Sequence, residues 1–154
     1  GRSVDELLIT ERRVEHAQQL TAKYGVRVVG NEEGAAAADV LVLVVKPQDM
    51  DGLLGEIRDQ MAPGTLVVSL AAGITTEFLE SRLPEGSSVV RVMPNTPALV
   101  DQGMAAISPG KHCTDAHLAA AEALLTSCGK VVRVEEKHQD AVTAFTVSTI
   151  LLPR

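Results

Sequence analysis

Short apolar runs alternate along the chain with amphipathic segments, which is the pattern of strands separated by helices. The apolar runs occupy residues 7–10, 27–29, 40–45, 66–70, 88–93, 104–107 and 130–134. Helical periodicity appears at residues 12–24, 48–61, 75–83 and 114–128, and a short alanine-rich stretch follows Asn31. The uninterrupted run 40–45 predicts a central strand that is covered on both faces. This order of elements predicts an α/β fold.

Strands joined by helices are parallel, because a crossover helix returns the chain to the same end of the sheet. We therefore expect a doubly wound, mostly parallel sheet of the Rossmann type. Such sheets open with a strand and a GxGxxG turn whose backbone amides bind a pyrophosphate. The chain begins Gly1-Arg2-Ser3 and contains no such motif. The expected sheet consequently lacks its first strand and its glycine-rich loop.

The charge balance restricts the class of partner. The 154 residues contain 14 Lys and Arg against 20 Asp and Glu, which gives a net charge of −6. Nucleic acids and anionic membrane surfaces require clustered positive charge. The two cysteines have no CxxC spacing, and no apolar run reaches the roughly 18 residues of a membrane span. We expect a small-molecule partner, no nucleic acid, no membrane and a cytoplasmic location.

The titratable residues show no pattern for metal binding or nucleophilic catalysis. The four histidines are scattered, without a carboxylate or cysteine partner at ligand spacing. They are His16, His112, His117 and His138. Glu135 and Glu136 are expected to cap a following helix rather than to form a catalytic acid pair. We predict no catalytic side chain and no metal site.

The strand predicted at residues 88–93 has an unusual end, the sequence MPNTP. Proline fixes φ and has no N–H donor, so Pro94 and Pro97 are expected to hold the chain out of the sheet. Asn95 would then lie at the carboxyl edge of the sheet, where open α/β sheets bind their ligands. The preceding strand runs into Ala71-Ala72-Gly73, whose small side chains would let another molecule approach the backbone closely.

Four segments resemble, in this order, the pyrroline-5-carboxylate reductase family: VKP at 45–47, SLAAGIT at 69–75, VVRVMPNTPALV at 89–100 and EEKHQDAVTA at 135–144. RVMPNTPA followed about forty residues later by DAVTA is the specific part of the resemblance. The resemblance implies an oxidoreductase of proline biosynthesis, which reduces the cyclic imine 1-pyrroline-5-carboxylate to L-proline with NADPH or NADH. The protein would mainly hold nicotinamide and imine in contact and keep water out.

The resemblance also implies a set of cofactor-binding residues at three strand ends. In chain order they are Val45, Lys46, Pro47, Ala71, Ala72, Gly73, Met93, Pro94 and Asn95. The first three would lie under the adenosine ribose and the central part of the dinucleotide, and the next three near the nicotinamide ribose. The last three would contact the nicotinamide, with Asn95 as a hydrogen-bond donor. Read without the resemblance, Lys46 also fits a solvated strand end.

The nucleotide preference is expected to depend on the residues after the first predicted strand. An acid there accepts hydrogen bonds from a ribose 2′-hydroxyl, whereas an arginine pairs with a 2′-phosphate. This chain has Glu11 in the acid's place and Arg12 and Arg13 after it. The two arginines favour NADP, and Glu11 leaves NAD open. Arginines at a helix start are also common as plain surface charges.

The resemblance divides the chain into an incomplete dinucleotide-binding domain at 1–136 and the start of an interdomain helix at 137–154. In the family a helical domain follows, which dimerises and completes the imine site. We expect that domain to be absent here and the full-length parent to be a homo-oligomer. The 154 residues alone are then expected to bind dinucleotide poorly and not to turn over.

Two alternatives stay open. The chain could be a non-catalytic, nucleotide-binding fragment that associates with other chains through an unpaired sheet edge. It could also be a related dehydrogenase of the same fold that acts on a hydroxy acid or a sugar acid. The MPNTPA stretch at residues 93–98 argues against the second alternative.

Overall fold

The computed structural model describes residues 4–94, 103–126 and 129–139. The strands are β1 (Leu8–Ile9), β2 (Arg27–Val28), β3 (Val40–Leu43), β4 (Leu66–Ser69), β5 (Ser88–Pro94), β6 (Gly103–Pro109) and β7 (Gly129–Arg133). The helices are α1 (Val14–Tyr24), α2 (Asn31–Ala37), α3 (Pro47–Ile57), α4 (Thr76–Arg82) and α5 (Asp115–Leu125). Short 3-10 turns lie at Val4–Glu6 and Glu136–His138. Strands and helices alternate as the apolar pattern predicts.

The strands form two sheets. β1 and β2 pair in parallel as a two-stranded sheet, and the other strands form a five-stranded sheet in the order β3-β4-β5-β6-β7. All neighbours in the larger sheet are parallel except β5 and β6. The predicted α/β architecture of Rossmann type with a mostly parallel sheet is confirmed. The predicted absence of a first strand stays a prediction.

The antiparallel pairing of β5 and β6 follows from the short connection between them. Pro94 is in register with Ala105, and Val90 with Pro109. A parallel return would need a crossover of a dozen or more residues, which is more chain than β5 and β6 have between them. The chain therefore reverses direction, and β7 resumes the parallel order beside β6 after helix α5.

Helices cover the five-stranded sheet on both faces. Val67 packs with Leu54 and Leu79, from α3 and α4, in one buried cluster. Its neighbours on β4 point the other way, and Val68 packs with Leu118 of α5 in a second cluster. Every residue of β4 is buried, as expected for a parallel strand that is covered on both faces.

The structure differs from the sequence prediction for β3. The run at 40–45 was expected to be a central strand, but in the described part of the chain β3 is the outer strand of the five-stranded sheet. Val42 is 41% exposed and Val44 is 73% exposed. The central, fully buried strand is β4. An apolar run predicts a strand, but it does not specify which strands lie beside that strand or how much of it they cover, and this explains the difference.

Local sequence signals account for several helix ends. Gly25 ends α1 with φ of 68°, and its N–H donates to Thr21, as in a left-handed C-cap. Thr114 begins α5 with a capping box, in which its side chain accepts from the N–H of His117. Among the helices that the structure describes, none has the length and apolarity needed to cross a membrane.

Candidate functional site

Three of the segments implied by the resemblance lie at one edge of the five-stranded sheet. Leu43, Ser69 and Arg91 are register partners across β3, β4 and β5. These strands are parallel, so their carboxyl ends point the same way. Residues 45–47, 71–73 and 93–94 follow this row directly. The topology therefore brings the three predicted segments to neighbouring positions, which sequence spacing by itself cannot show.

The segment after β3 turns directly into helix α3. Lys46 is the N-cap residue, with extended φ and ψ, and Pro47 is the first helical residue, a position that tolerates the missing N–H of proline. The N–H of Asp49 donates to the Lys46 carbonyl at 2.9 Å. Val45 is half-buried, whereas Lys46 and Pro47 are exposed. The ammonium group of Lys46 is thus available to an anionic ligand.

The segment after β4 is a turn of small residues. Ala71 is buried, and its N–H lies 3.4 Å from the hydroxyl of the buried Ser69. Ala72 and Gly73 are exposed. Gly73 has φ of 73°, and a Cβ added there would meet no atom within 4 Å. Glycine is therefore required by the backbone conformation, and the space over this turn is open to a ligand.

The segment after β5 partly departs from expectation. Pro94 is the last residue of β5 and stays in register with Ala105 of β6, whereas it was expected to hold the chain out of the sheet. The register of β5 with β4 ends at Arg91, so Pro94 has a neighbouring strand on one side only, as prolines of edge strands do, which explains the difference. Met93 is half-buried and Pro94 is exposed. Asn95 and Pro97 lie outside the described residues.

Glu11, Arg13 and His16 form a hydrogen-bonded cluster that follows β1 in the chain. One carboxylate oxygen of Glu11 accepts from the backbone N–H of Arg13 at 3.0 Å, and the other lies 2.6 Å from Nδ1 of His16. The Arg13 N–H first, and His16 second, hold the pKa of the Glu11 carboxyl below its ordinary value. Arg12 is exposed, and the side chain of Arg13 is 75% exposed. His16 was not among the predicted site residues.

This cluster follows β1 of the two-stranded sheet, whereas residues 45–47, 71–73 and 93–94 follow strands of the larger sheet. An open pocket of about 460 Å³ lies along α1 and is lined by Glu11, Val14, Ala17, Gln18, Thr21, Ala22 and Val28. Of the predicted cofactor-binding residues, only Glu11 lines it. The pocket therefore lies on an apolar face of α1, and none of residues 45–47, 71–73 and 93–94 lines it.

Glu136, which was expected to cap the helix that follows it, instead contacts Thr76 of α4 and Arg91 of β5. Its carboxylate accepts from the N–H and the hydroxyl of Thr76, at 2.7 and 2.6 Å. It also accepts from Nη1 of Arg91 at 3.3 Å, and the Arg91 side chain is only 5% exposed. The sequence signal was Arg91 itself, because a charged residue inside an apolar strand needs a buried partner.

Hydrogen bonds also tie the end of the described chain to the sheet. The side-chain amide of the buried Gln139 donates to the hydroxyl of Ser108 at 2.7 Å. Within residues 4–94, 103–126 and 129–139, no group of three His, Cys, Asp or Glu side chains could hold a metal ion.

Comparisons with known proteins connect this geometry to a family. Residues 2–73 match a family model described as NADP oxidoreductase, coenzyme F420-dependent. A pyrroline-5-carboxylate reductase of Mycobacterium leprae is 35% identical over 96% of this chain and 52% of its own length. The corresponding enzyme of Corynebacterium melassecola is 39% identical over 92% of this chain and 54% of its own length.

Solved structures agree with the sequence comparison. A pyrroline-5-carboxylate reductase from Coxiella burnetii superposes with a TM-score of 0.89 at 30% identity, over 96% of this chain and 57% of that one. A Plasmodium falciparum pyrroline carboxylate reductase with NADP bound shares the fold with a TM-score of 0.82 at 24% identity, over 96% of this chain and 54% of that one. The chain spans about half the length of the relatives that it matches. By sequence and by fold together, the chain is a homologue of the pyrroline-5-carboxylate reductases over about half of their length.

Proposed function

We propose that this chain supplies the dinucleotide-binding part of an oxidoreductase that reduces 1-pyrroline-5-carboxylate to L-proline, with NADPH as the cofactor and NADH as the alternative. The observation that carries the proposal is the meeting of residues 45–47, 71–73 and 93–94 at the carboxyl ends of three neighbouring parallel strands. Open α/β sheets bind ligands at that edge. The homology to pyrroline-5-carboxylate reductases supports the choice of reaction.

The preference for NADP rests on two kinds of support. The matching family model is described as an NADP oxidoreductase, and the Plasmodium relative was solved with NADP bound. In this chain, Arg12 and Arg13 offer exposed guanidinium groups beside Glu11. A guanidinium group recognises a phosphate with paired hydrogen bonds, which suits the 2′-phosphate that distinguishes NADP from NAD.

The strand-end residues fit a dinucleotide in shape and charge. Open space lies over Gly73, and Ala72 beside it is small and exposed. Lys46 adds a positive charge at the same edge. When bound, the nicotinamide supplies a hydride to the imine carbon, and the protonated imine becomes the amine of proline. The chain's own task is to fix the position of that ring, with the half-buried Met93 and the exposed Pro94 as an apolar wall that excludes water.

The proposal includes a division of the protein. Residues 1–136 would form the dinucleotide-binding unit, and residues 137–154 would begin a helix that leads to a domain for the imine. We propose that the parent protein is a homo-oligomer, on the resemblance to the family alone. The 154 residues would then bind NADPH poorly and would not reduce the imine.

The site is tested by measuring NADPH binding through nicotinamide fluorescence and by mapping it with backbone NMR shifts. We expect the largest shifts at residues 45–47, 71–73 and 93–95. Ala72→Glu places a larger, charged side chain where the nicotinamide ribose is expected to lie and should weaken binding about tenfold or more. Ala119→Glu, on the exposed side of α5, is the matched control and should leave the affinity unchanged. Shifts centred on α5, or equal losses in both variants, would contradict the proposed site.

The reaction is tested by adding 1-pyrroline-5-carboxylate to the NADPH complex and following nicotinamide absorbance. We expect binding without oxidation from these 154 residues. Oxidation that depends on the imine would show that this chain already contains the substrate site, and would overturn the proposed division. Failure to bind either NADPH or NADH even weakly, at cofactor concentrations high enough to detect poor binding, would overturn the proposed function.

A further inference from the structure

We propose that His16 is a specificity-determining residue for the nucleotide: it occupies the carboxylate of Glu11 and thereby favours a dinucleotide with a 2′-phosphate over one with a 2′-hydroxyl. This inference rests on the proposed function, and it adds a residue of helix α1 to the predicted site. His16 acts through Glu11 and is therefore a positioning residue.

His16 and Glu11 are joined by a short side-chain hydrogen bond. Nδ1 of His16 lies 2.6 Å from one carboxylate oxygen of Glu11. A carboxylate only accepts hydrogen bonds, so Nδ1 carries the hydrogen. The Arg13 guanidinium, 3.2 Å from the same nitrogen, consequently lies alongside the ring and does not donate to it. Its Nε is 3.6 Å from the other carboxylate oxygen of Glu11, which also accepts from the Arg13 backbone N–H.

The contact with His16 limits the hydrogen bonds that Glu11 can offer to a ligand. An acid selects a 2′-hydroxyl by accepting its hydrogen bond, and it repels a 2′-phosphate by its charge. Here both oxygens of Glu11 already have donors from within the chain, and the carboxylate is only 20% exposed. The ability of Glu11 to attract a hydroxyl is reduced, and its charge is partly balanced by Arg13.

The guanidinium groups of Arg12 and Arg13 are the positively charged part of this cluster. The side chain of Arg13 is 75% exposed although it lies next to Glu11, and Arg12 is also exposed. With His16 holding the carboxylate inward, these guanidinium groups form the accessible face of the cluster. A phosphate bound there would accept hydrogen bonds from these positively charged groups. The same side chains offer little to a neutral hydroxyl.

The test compares the affinities of two probes that differ only at the 2′ position, adenosine 2′,5′-bisphosphate and adenosine 5′-monophosphate, by NMR titration of the full chain. His16→Leu removes the donor, and we expect the affinity ratio of bisphosphate to monophosphate to fall about threefold to fivefold. His16→Asn keeps an N–H at the position of Nδ1 and should restore the ratio. Gln19→Leu, at an exposed position of α1, is the matched control and should leave it unchanged.

A double-mutant cycle separates action through Glu11 from a general effect on α1. In the Glu11→Gln background, the ratio should be raised, and His16→Leu should have no further effect on it. NMR titration should also show the pKa of the Glu11 carboxyl rising in His16→Leu, and only in part, because the Arg13 N–H remains.

Three outcomes are decisive. An unchanged ratio in His16→Leu, or an equal fall in the Glu11→Gln background, would overturn the role of His16 while leaving the proposed function in place. If the wild-type chain binds neither these probes nor NADPH and NADH, the proposed function fails, and this inference fails with it.

Discussion

Arg91 shows how a single charged residue is accommodated inside the sheet. It lies in β5 among valines, with its side chain 5% exposed, and it pairs with Glu136, which is 26% exposed. Glu136 also accepts two hydrogen bonds from Thr76. The two partners are therefore unequal in exposure: Glu136 is partly open to solvent, whereas the side chain of Arg91 is shielded from water.

This inequality predicts different costs for removing each partner. Glu136→Ala removes a carboxylate that accepts from the buried Arg91 guanidinium and from the N–H and hydroxyl of Thr76, and should lower the free energy of unfolding by about 3 kcal/mol. Arg91→Met replaces the buried charge by an apolar chain of similar length and should cost less than about 1.5 kcal/mol. Urea denaturation of both variants measures the difference. Equal losses would contradict the expectation that removing the acceptor carboxylate costs more than replacing the buried arginine by an apolar chain.

The helices show how far local signals reach. The spacing of five apolar residues in 48–61 predicts one helical face: Met50, Leu53, Leu54 and Ile57 are buried in α3, whereas Met61 is half-buried beyond its end. Gly25 ends α1, and Thr114 begins α5. These features depend on contacts within one turn of helix, so the sequence is sufficient to predict them. The direction of β6 cannot be predicted from local sequence in this way, because it depends on which strand lies next to β6.

The capping box of α5 gives a prediction at this scale. Thr114→Ala removes the acceptor for the N–H of His117 and should lower the free energy of unfolding by about 1 kcal/mol. Thr114→Ser keeps the hydroxyl and serves as the matched control, with a change of only a few tenths of that value. Thermal or urea unfolding provides the measurement. A similar loss in both variants would indicate that the threonine methyl group, and not the cap, stabilises this end of α5.

The whole molecule has an exposed apolar strand at one side of its larger sheet. In the part of the chain that the structure describes, β3 pairs only with β4. Val42 of this strand is 41% exposed. Unpaired strands of this kind can pair with another chain. This observation keeps the alternative of association between chains testable beside the proposed reductase function.

We expect the 154-residue chain to associate as its concentration rises, and Val42→Lys to reduce that association, because lysine on an outer strand opposes strand pairing between chains. Leu124→Lys adds the same charge at a similarly exposed position of α5 and is the matched control. Sedimentation velocity over a range of concentrations measures the effect. An equal reduction in both variants would assign it to net charge and not to the strand.

The sequence by itself determined the alternation of strands and helices, the small residues after β4, the helix caps and the resemblance to a reductase family, because each of these signals lies within a short stretch of chain. Only the tertiary structure decided that β3 is the outer strand among the described residues, that β6 runs antiparallel to β5 and that three strand ends form one edge. It also paired Arg91 with Glu136, 45 positions later. Such pairings depend on which distant segments meet in the folded chain, and a local pattern of residue types carries no record of that choice.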